Sequence, residues 1–307
     1  MKDPRERPRH YRVREQLVLQ SMILPALIVL FVFAYVPMYG IIIAFKDFNI
    51  RDGIWGSAWV GIKSFREFLK DPNLWNVMRN TLVLNVLGTL ICFPAPILLA
   101  LLINELPNGR FKKVSQTVSY LPHFLSWVIF AGLVLELLRP SGILSDICVA
   151  LGLSRQPLNF MAHGSWFYII FVLSSLVKGL GYGSIIYVAA LAGVDQEIYE
   201  AAKMDGCTRF QRIVYISLPC IMGTVVVMLI LQIGSILNTG IEQILMYQNA
   251  INLPYSETLD TYVYKVGIAQ GRMSYSTAVS LLKSVISIIL LIAANTFSKK
   301  VTEKGLF

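Results

Sequence analysis

"EAAKMDGCTRFQRIVYISLP", residues 200–219, is a charged, glycine-punctuated island between two long apolar runs. The run before it, 156–194, is uncharged except for Lys178. The run after it, 213–241, carries no charge in 29 residues. An apolar run of about 20 residues is enough to cross the ~30 Å hydrocarbon core of a bilayer. The island is thus a polar connection between two crossings, and the side on which it lies orients the chain.

Its local grammar is helical. Gln196 to Lys203 are good helix formers, and Asp195 is placed to accept from the first free amides. Glu197 and Glu200 suit the positive end of the helix dipole. Gly206 can take positive φ and end the helix. Thr208 can cap a second short helix with Arg209, Gln211 and Arg212 on its polar side, and Leu218-Pro219 then opens the next crossing. Helices under about 12 residues are marginal alone, so both need outside support. The small pair Ala201-Ala202 leaves a shallow face for close approach. Two readings follow: a docking element gripped by a soluble partner, or an amphipathic connector lying on lipid.

Of 307 residues, 55% are hydrophobic and 15% charged, against about 25% charged in soluble domains. Six spans are expected near 21–45, 80–104, 114–137, 166–191, 213–237 and 276–298. They should be helices, because lipid satisfies no open backbone group. This predicts an all-α membrane protein with a basic tail over 1–16, a six-helix membrane domain over 17–299 containing the loop 195–219, and a short tail over 300–307. The first apolar run is too long for a cleaved signal. Cys92, Cys148, Cys207 and Cys220 have neither metal-ligand nor redox spacing and read as small apolar filler.

The net charge of +9 is a matter of placement. The N-terminal tail to Gln16 and segments 104–115, 192–212 and 299–307 hold 15 Lys and Arg in 58 residues; the alternate loops 46–76, 139–165 and 238–275 hold nine in 96. Positive loops mark the cytoplasmic side. Both termini and the Glu200 loop are then cytoplasmic, and nucleic acid is not needed to explain the basic excess.

Glu200-Ala201-Ala202, three residues, Gly206, then Ile216 and Leu218-Pro219, resembles the "EAA loop" of ATP-binding-cassette importer permeases. The Asp205-Gly206 form resembles the sugar-importing branch, although Cys207 stands where alanine is usual. Residues 24–49, 56–69, 177–195 and 258–279 are similar to oligosaccharide and polysaccharide-fragment permeases of the lipoprotein-associated and alginate-type systems. The resemblance implies a type I importer permease in a bacterial plasma membrane. Glu200, Ala201, Ala202, Asp205, Gly206, Leu218 and Pro219 would couple it to an ATPase dimer. It further implies a second, homologous permease and an extracytoplasmic sugar-binding protein, with ATP and Mg on the ATPase. A permease for a non-sugar solute, or a secondary transporter working without ATP, is the alternative.

The chain itself has no Gly-x-x-x-x-Gly-Lys-Ser/Thr loop for phosphates, and no metal site or cofactor is expected. His10, His123 and His163 are scattered. Ser175-x-x-Lys178 lacks the companion motifs of acylating enzymes, so no catalytic role is expected. Lys178, at the middle of span four, should face a wet cavity or a partner; glycines 179, 181 and 183 follow it. Lys178 and Tyr182 are candidates for lining a sugar passage, with pairing to a carbonyl or to the second permease as the alternative for Lys178. Asn238, Glu242, Gln243 and Tyr247 offer the polar and aromatic mixture that sugars bind, beyond span five, with a solvated loop packed on its own protein as the alternative. Lys283, nearer the outer end of span six, reads as structural, with outward snorkelling as the alternative. Pro25 and the Pro94-Ala95-Pro96 triplet are expected to kink their helices.

Overall fold

The protein is described by a computed structural model that covers residues 9–302; positions 1–8 and 303–307, in the two expected tails, lie outside the described residues. Among the described residues, five helices are long and apolar enough to cross a membrane: Gln16–Phe45, Leu74–Asn104, Trp166–Ala192, Arg209–Gly234 and Met273–Lys300. They are spans one, two, four, five and six. The first continues a helix that begins at Arg9, so the expected tail is helical from that point.

The third span is not the continuous helix expected over 114–137. It consists of Arg110–Phe124 and Trp127–Leu137, bent by 100°. Pro122 has no amide hydrogen to continue an α-helical ladder, and the chain tightens into a 3-10 turn over Leu121–Phe124. Leu125 is extended, and the Ser126 hydroxyl restarts the helix by accepting from the Ile129 N–H at 3.3 Å.

Other prolines act through the wider π-turn. Phe31–Tyr35 and Ile213–Ser217 are π-helical and end two residues before Pro37 and Pro219. A proline ring collides with the carbonyl four residues back, and the extra residue of a π-turn displaces that carbonyl. Pro25 lies within an unbroken α-helix, whereas the second span is interrupted at Phe93, just before Pro94.

Span four is the hub, packed on span two, the first part of the broken span and span five. Lipid tails are as apolar as leucine, so close fit rather than hydrophobicity drives this packing. At Gly181 a Cβ would overlap the Ser119 carbonyl; glycine lets the backbone of the broken span approach there. One core cluster, including Ile97, Leu101, Tyr187, Leu191 and Ile221, lies toward the end of the bundle that carries Glu200. Another, around Leu84, Phe167, Phe171, Ile244 and Tyr247, lies toward the opposite end.

The opposite end is capped by polar clasps. An antiparallel ribbon pairs Lys46 with Trp59 and Asp47 with Ala58. Asp71 accepts from the hydroxyls of Tyr262 and Tyr275 and from the Asn73 N–H. Burial alone raises that carboxyl, but these hydrogen bonds outweigh it and hold Asp71 below the ordinary aspartate range. Lys283 does not reach outward. It pairs with Asp260, which also accepts from the Thr239 N–H at 2.7 Å and its hydroxyl at 3.0 Å. A membrane-embedded charge is satisfied most cheaply by a partner.

Span one stands apart. Residues 16–39 are exposed throughout, and only its last turns, Tyr39–Phe45, pack on span six.

Candidate functional site

The island forms the elbow its sequence encodes. Asp195 Oδ1 accepts from the Glu197 N–H at 3.0 Å and starts the helix Gln196–Met204. Gly206 has φ +79° and turns the chain. Thr208 and Gln211 form a reciprocal capping box. The second short helix is not separate, however. Arg209–Arg212 is the first turn of span five and runs through the π-turn into Leu218–Gly234.

The expected coupling residues divide into two groups. Glu200, Ala201, Asp205 and Gly206 are exposed, together with Met204 at 88% and Phe210 at 74%. Ala202 is instead buried beside Tyr199, so the alanine pair does not present a common face. Leu218 packs in the core cluster with Ile97 and Tyr187 while Pro219 is exposed. The helix period puts 199 and 202 inward and 200, 201 and 204 outward. The outward face is bare, apolar at Met204 and Phe210, and acidic at Glu200.

Between spans two, four and five lies a cavity of about 330 Å³. Asn85 and Thr89 of span two, Ser175 and Tyr187 of span four, Gln232 of span five and Gln243 contribute its polar groups. Phe93 and Phe171 contribute aromatic faces. The Thr89 hydroxyl has no hydrogen-bond partner among the described residues. Tyr187 is 3% exposed and looks onto the cavity. No Lys, Arg, Asp or Glu is among the described residues that line it.

Of the six residues expected on a substrate route, Gln243 borders this cavity. Its amide is fully engaged, donating to the Phe171 carbonyl at 2.9 Å and to Ser174 Oγ at 3.1 Å and accepting from Ser175 Oγ at 2.9 Å. Tyr247 is 1% exposed and belongs to the hydrophobic core. Within the helix Ile241–Tyr247 the residues 243, 244 and 247 face inward and Glu242 faces out, as Asn238 also does.

Lys178 follows its alternative reading. Its ammonium donates to the carbonyls of Pro122, His123 and Leu125 at 3.3, 2.8 and 2.5 Å and sits over the Trp127 ring. The break in span three frees the His123 and Leu125 carbonyls, while that of Pro122 also accepts from the Leu125 N–H at 3.4 Å. Tyr182, one turn on, stacks on the His123 ring at 3.8 Å. Neither residue lines the cavity. Ser175 and Lys178 turn their polar ends to different partners, so the Ser-x-x-Lys spacing forms no nucleophile–base pair.

Residues 93–303 match the family of binding-protein-dependent transport system inner membrane components. The chain belongs to that family. It is 43% identical over 290 residues to Protein LplB of Bacillus subtilis (strain 168), covering 94% of this chain and 91% of that protein. It is 44% identical over 294 residues to the polygalacturonan/rhamnogalacturonan transport system permease protein YteP of the same organism, covering 95% and 91%. Among solved structures it is similar to a chain of a bacterial ABC transporter involved in the import of the acidic polysaccharide alginate. There the TM-score is 0.85 at 34% identity, over 96% of this chain and 100% of the other. The same fit is found to the alginate transporter in complex with an alginate pentasaccharide-bound periplasmic protein. The chain therefore has the type I importer permease fold, and its role is transport rather than catalysis.

Proposed function

We propose that this chain is one wall of the membrane passage of an ABC importer for oligosaccharides or polysaccharide fragments. The elbow at 195–207 carries the reading: a capped, glycine-ended helix with an unpartnered acidic and apolar face, on the side that the Lys and Arg distribution assigns to the cytoplasm. A cytoplasmic ATPase covers Glu200, Met204 and Phe210; burying a side chain such as Met or Phe is worth about 1.5–3 kcal/mol each. A second permease completes the passage, and an extracytoplasmic sugar-binding protein delivers the substrate. The sugar class rests on the relatives named for polygalacturonan, rhamnogalacturonan and alginate. The mechanism is alternating access. Nucleotide binding closes the ATPase dimer, the elbow moves with it, and spans four and five tilt to turn the cavity from one side to the other.

The test is co-purification from membranes of the tagged chain with a cytoplasmic ATPase and a second permease, and ATP-dependent sugar uptake by the reconstituted set. A chain that transports alone, or whose elbow is labelled from outside the cell, contradicts the reading.

The route proposed here is the cavity, which Gln243 of the expected outer residues borders. Thr89 and Tyr187 provide hydroxyls toward a sugar, and Phe93 and Phe171 provide faces for its apolar side. The double variant Thr89→Val, Tyr187→Phe is expected to raise the apparent KM of uptake about threefold to tenfold, the loss of one or two modest hydrogen bonds. The amount of assembled complex should not change. An unaltered KM removes this cavity from the route.

A further inference from the structure

The elbow is covalently continuous with spans four and five, and side-chain bonds also tie both its helix and the foot of span five to span two. Arg212, in the first turn of span five, pairs with Glu105 at 2.6 Å, and the two side chains are only 11% and 12% exposed. Glu105 is the residue on which span two ends. The second guanidinium nitrogen reaches the Cys207 carbonyl at 3.5 Å, just past the Gly206 turn. On the elbow helix itself, the buried Tyr199 hydroxyl sits 2.9 Å from Ser217 Oγ and accepts from Asn104 Nδ2 at 3.5 Å. Residue 104 thus reaches the elbow helix and residue 105 the foot of span five, on the two sides of the Gly206 turn, across about a hundred residues of sequence. A cleft of about 530 Å³ opens beside them, so the elbow is fixed to span two by these bonds rather than by close apolar packing. Span two also carries Asn85, Thr89 and Phe93, which form one side of the cavity.

We infer that Glu105 and Arg212, with Asn104 and Tyr199, are positioning residues that make span two a third lever of the coupling elbow. Displacement of the elbow then reaches the cavity wall on span two directly, and not only through spans four and five. A buried ion pair suits this use. Removing one partner strands a charge, so the pair stays closed while the elements it joins move together. The inference rests on the coupling role proposed above and adds the path by which the motion is delivered.

The experiment uses the complete complex of this chain, its second permease and its ATPase in lipid nanodiscs. The four cysteines are replaced by alanine, and spin labels are placed at Lys203 on the elbow and Leu102 on the exposed side of span two. Distances are compared between the nucleotide-free state and the state trapped with ATP and vanadate. In the wild-type pairing the 102–203 distance should shift by less than about 2 Å, since linked elements travel together. In Glu105→Gln and Arg212→Gln it should spread by more than about 4 Å, on the scale of one element sliding on another. The exchanged pair Glu105→Arg, Arg212→Glu should recover the small shift. If either single variant fails to assemble, Tyr199→Phe, which removes one hydroxyl and no packing, must show a spread larger than wild type. A wild-type distance that itself changes by several ångströms overturns the inference, as do single variants indistinguishable from wild type or an exchanged pair that does not recover. Failure of the ATPase to co-purify with the wild-type chain would instead count against the coupling role.

Discussion

Lys178→Met is expected to reduce the thermal midpoint of the detergent-extracted permease by roughly 5 °C or more and to lower its level in membranes severalfold. Methionine matches the length of lysine and removes every donor. The carbonyls of Pro122, His123 and Leu125 then lose the ammonium that gathers them. Each buried acceptor left unpaired costs about 1–3 kcal/mol. The Pro122 carbonyl still accepts from the Leu125 N–H at 3.4 Å, so two acceptors lose their partner. Together they cost about 4–6 kcal/mol toward the upper end of that range, against about 2.5–3.5 kcal/mol returned by relief of the embedded charge. At about 2–4 °C per kcal/mol for chains of this size, the net loss is measurable. Gly181→Val attacks the same seam by overlap with the Ser119 backbone and should lower the midpoint in parallel. A Lys178→Met chain with wild-type level and midpoint would mean that the bend in span three is held by something else.

Gly206→Arg should have the opposite signature: an intact permease that has lost its motor. The residue has φ +79°, and a Cβ there meets no neighbouring atom. The substitution therefore disturbs the turn and not the bundle. A side chain in the left-handed region costs roughly 1–2 kcal/mol, and the elbow can relieve that strain only by changing its angle. ATPase recovered with the chain should fall about tenfold or more, the equivalent of 1.4 kcal/mol, and ATP-driven uptake should be lost, while the two permeases still co-purify. Normal ATPase recovery and uptake would show that the turn does not set the docking geometry.

The contrast between these residues explains what the sequence made legible. The elbow could be read in detail because its determinants are local: a cap at Asp195, a capping box at Thr208, a glycine at the turn. The spans could be counted because apolar length is a property of consecutive residues. The partner of Lys178 was not legible, since three backbone carbonyls fifty residues away leave no trace in residue type. The break in span three did leave one, in Pro122 followed by Ser126 ahead of Trp127, but the unbroken apolar run concealed it. Tyr247 was misplaced because the segment beyond span five was read as a loop, whereas the helical phase of 241–247 turns Gln243 and Tyr247 inward. Asn85, Thr89, Tyr187 and Gln232 were missed because each is one polar residue in an apolar stretch. The spacing of Asn85 and Thr89 by one helical turn was the available sign.

The broken span also dictates an order of biosynthesis. When the ribosome delivers Lys178, residues 122–125 have already left the tunnel, so the carbonyl nest that receives the ammonium is in the membrane before the charge arrives. Span one, bare of contacts over most of its length, enters lipid without waiting for anything. A circular permutation that released span four ahead of span three would ask the translocon to admit an isolated cation.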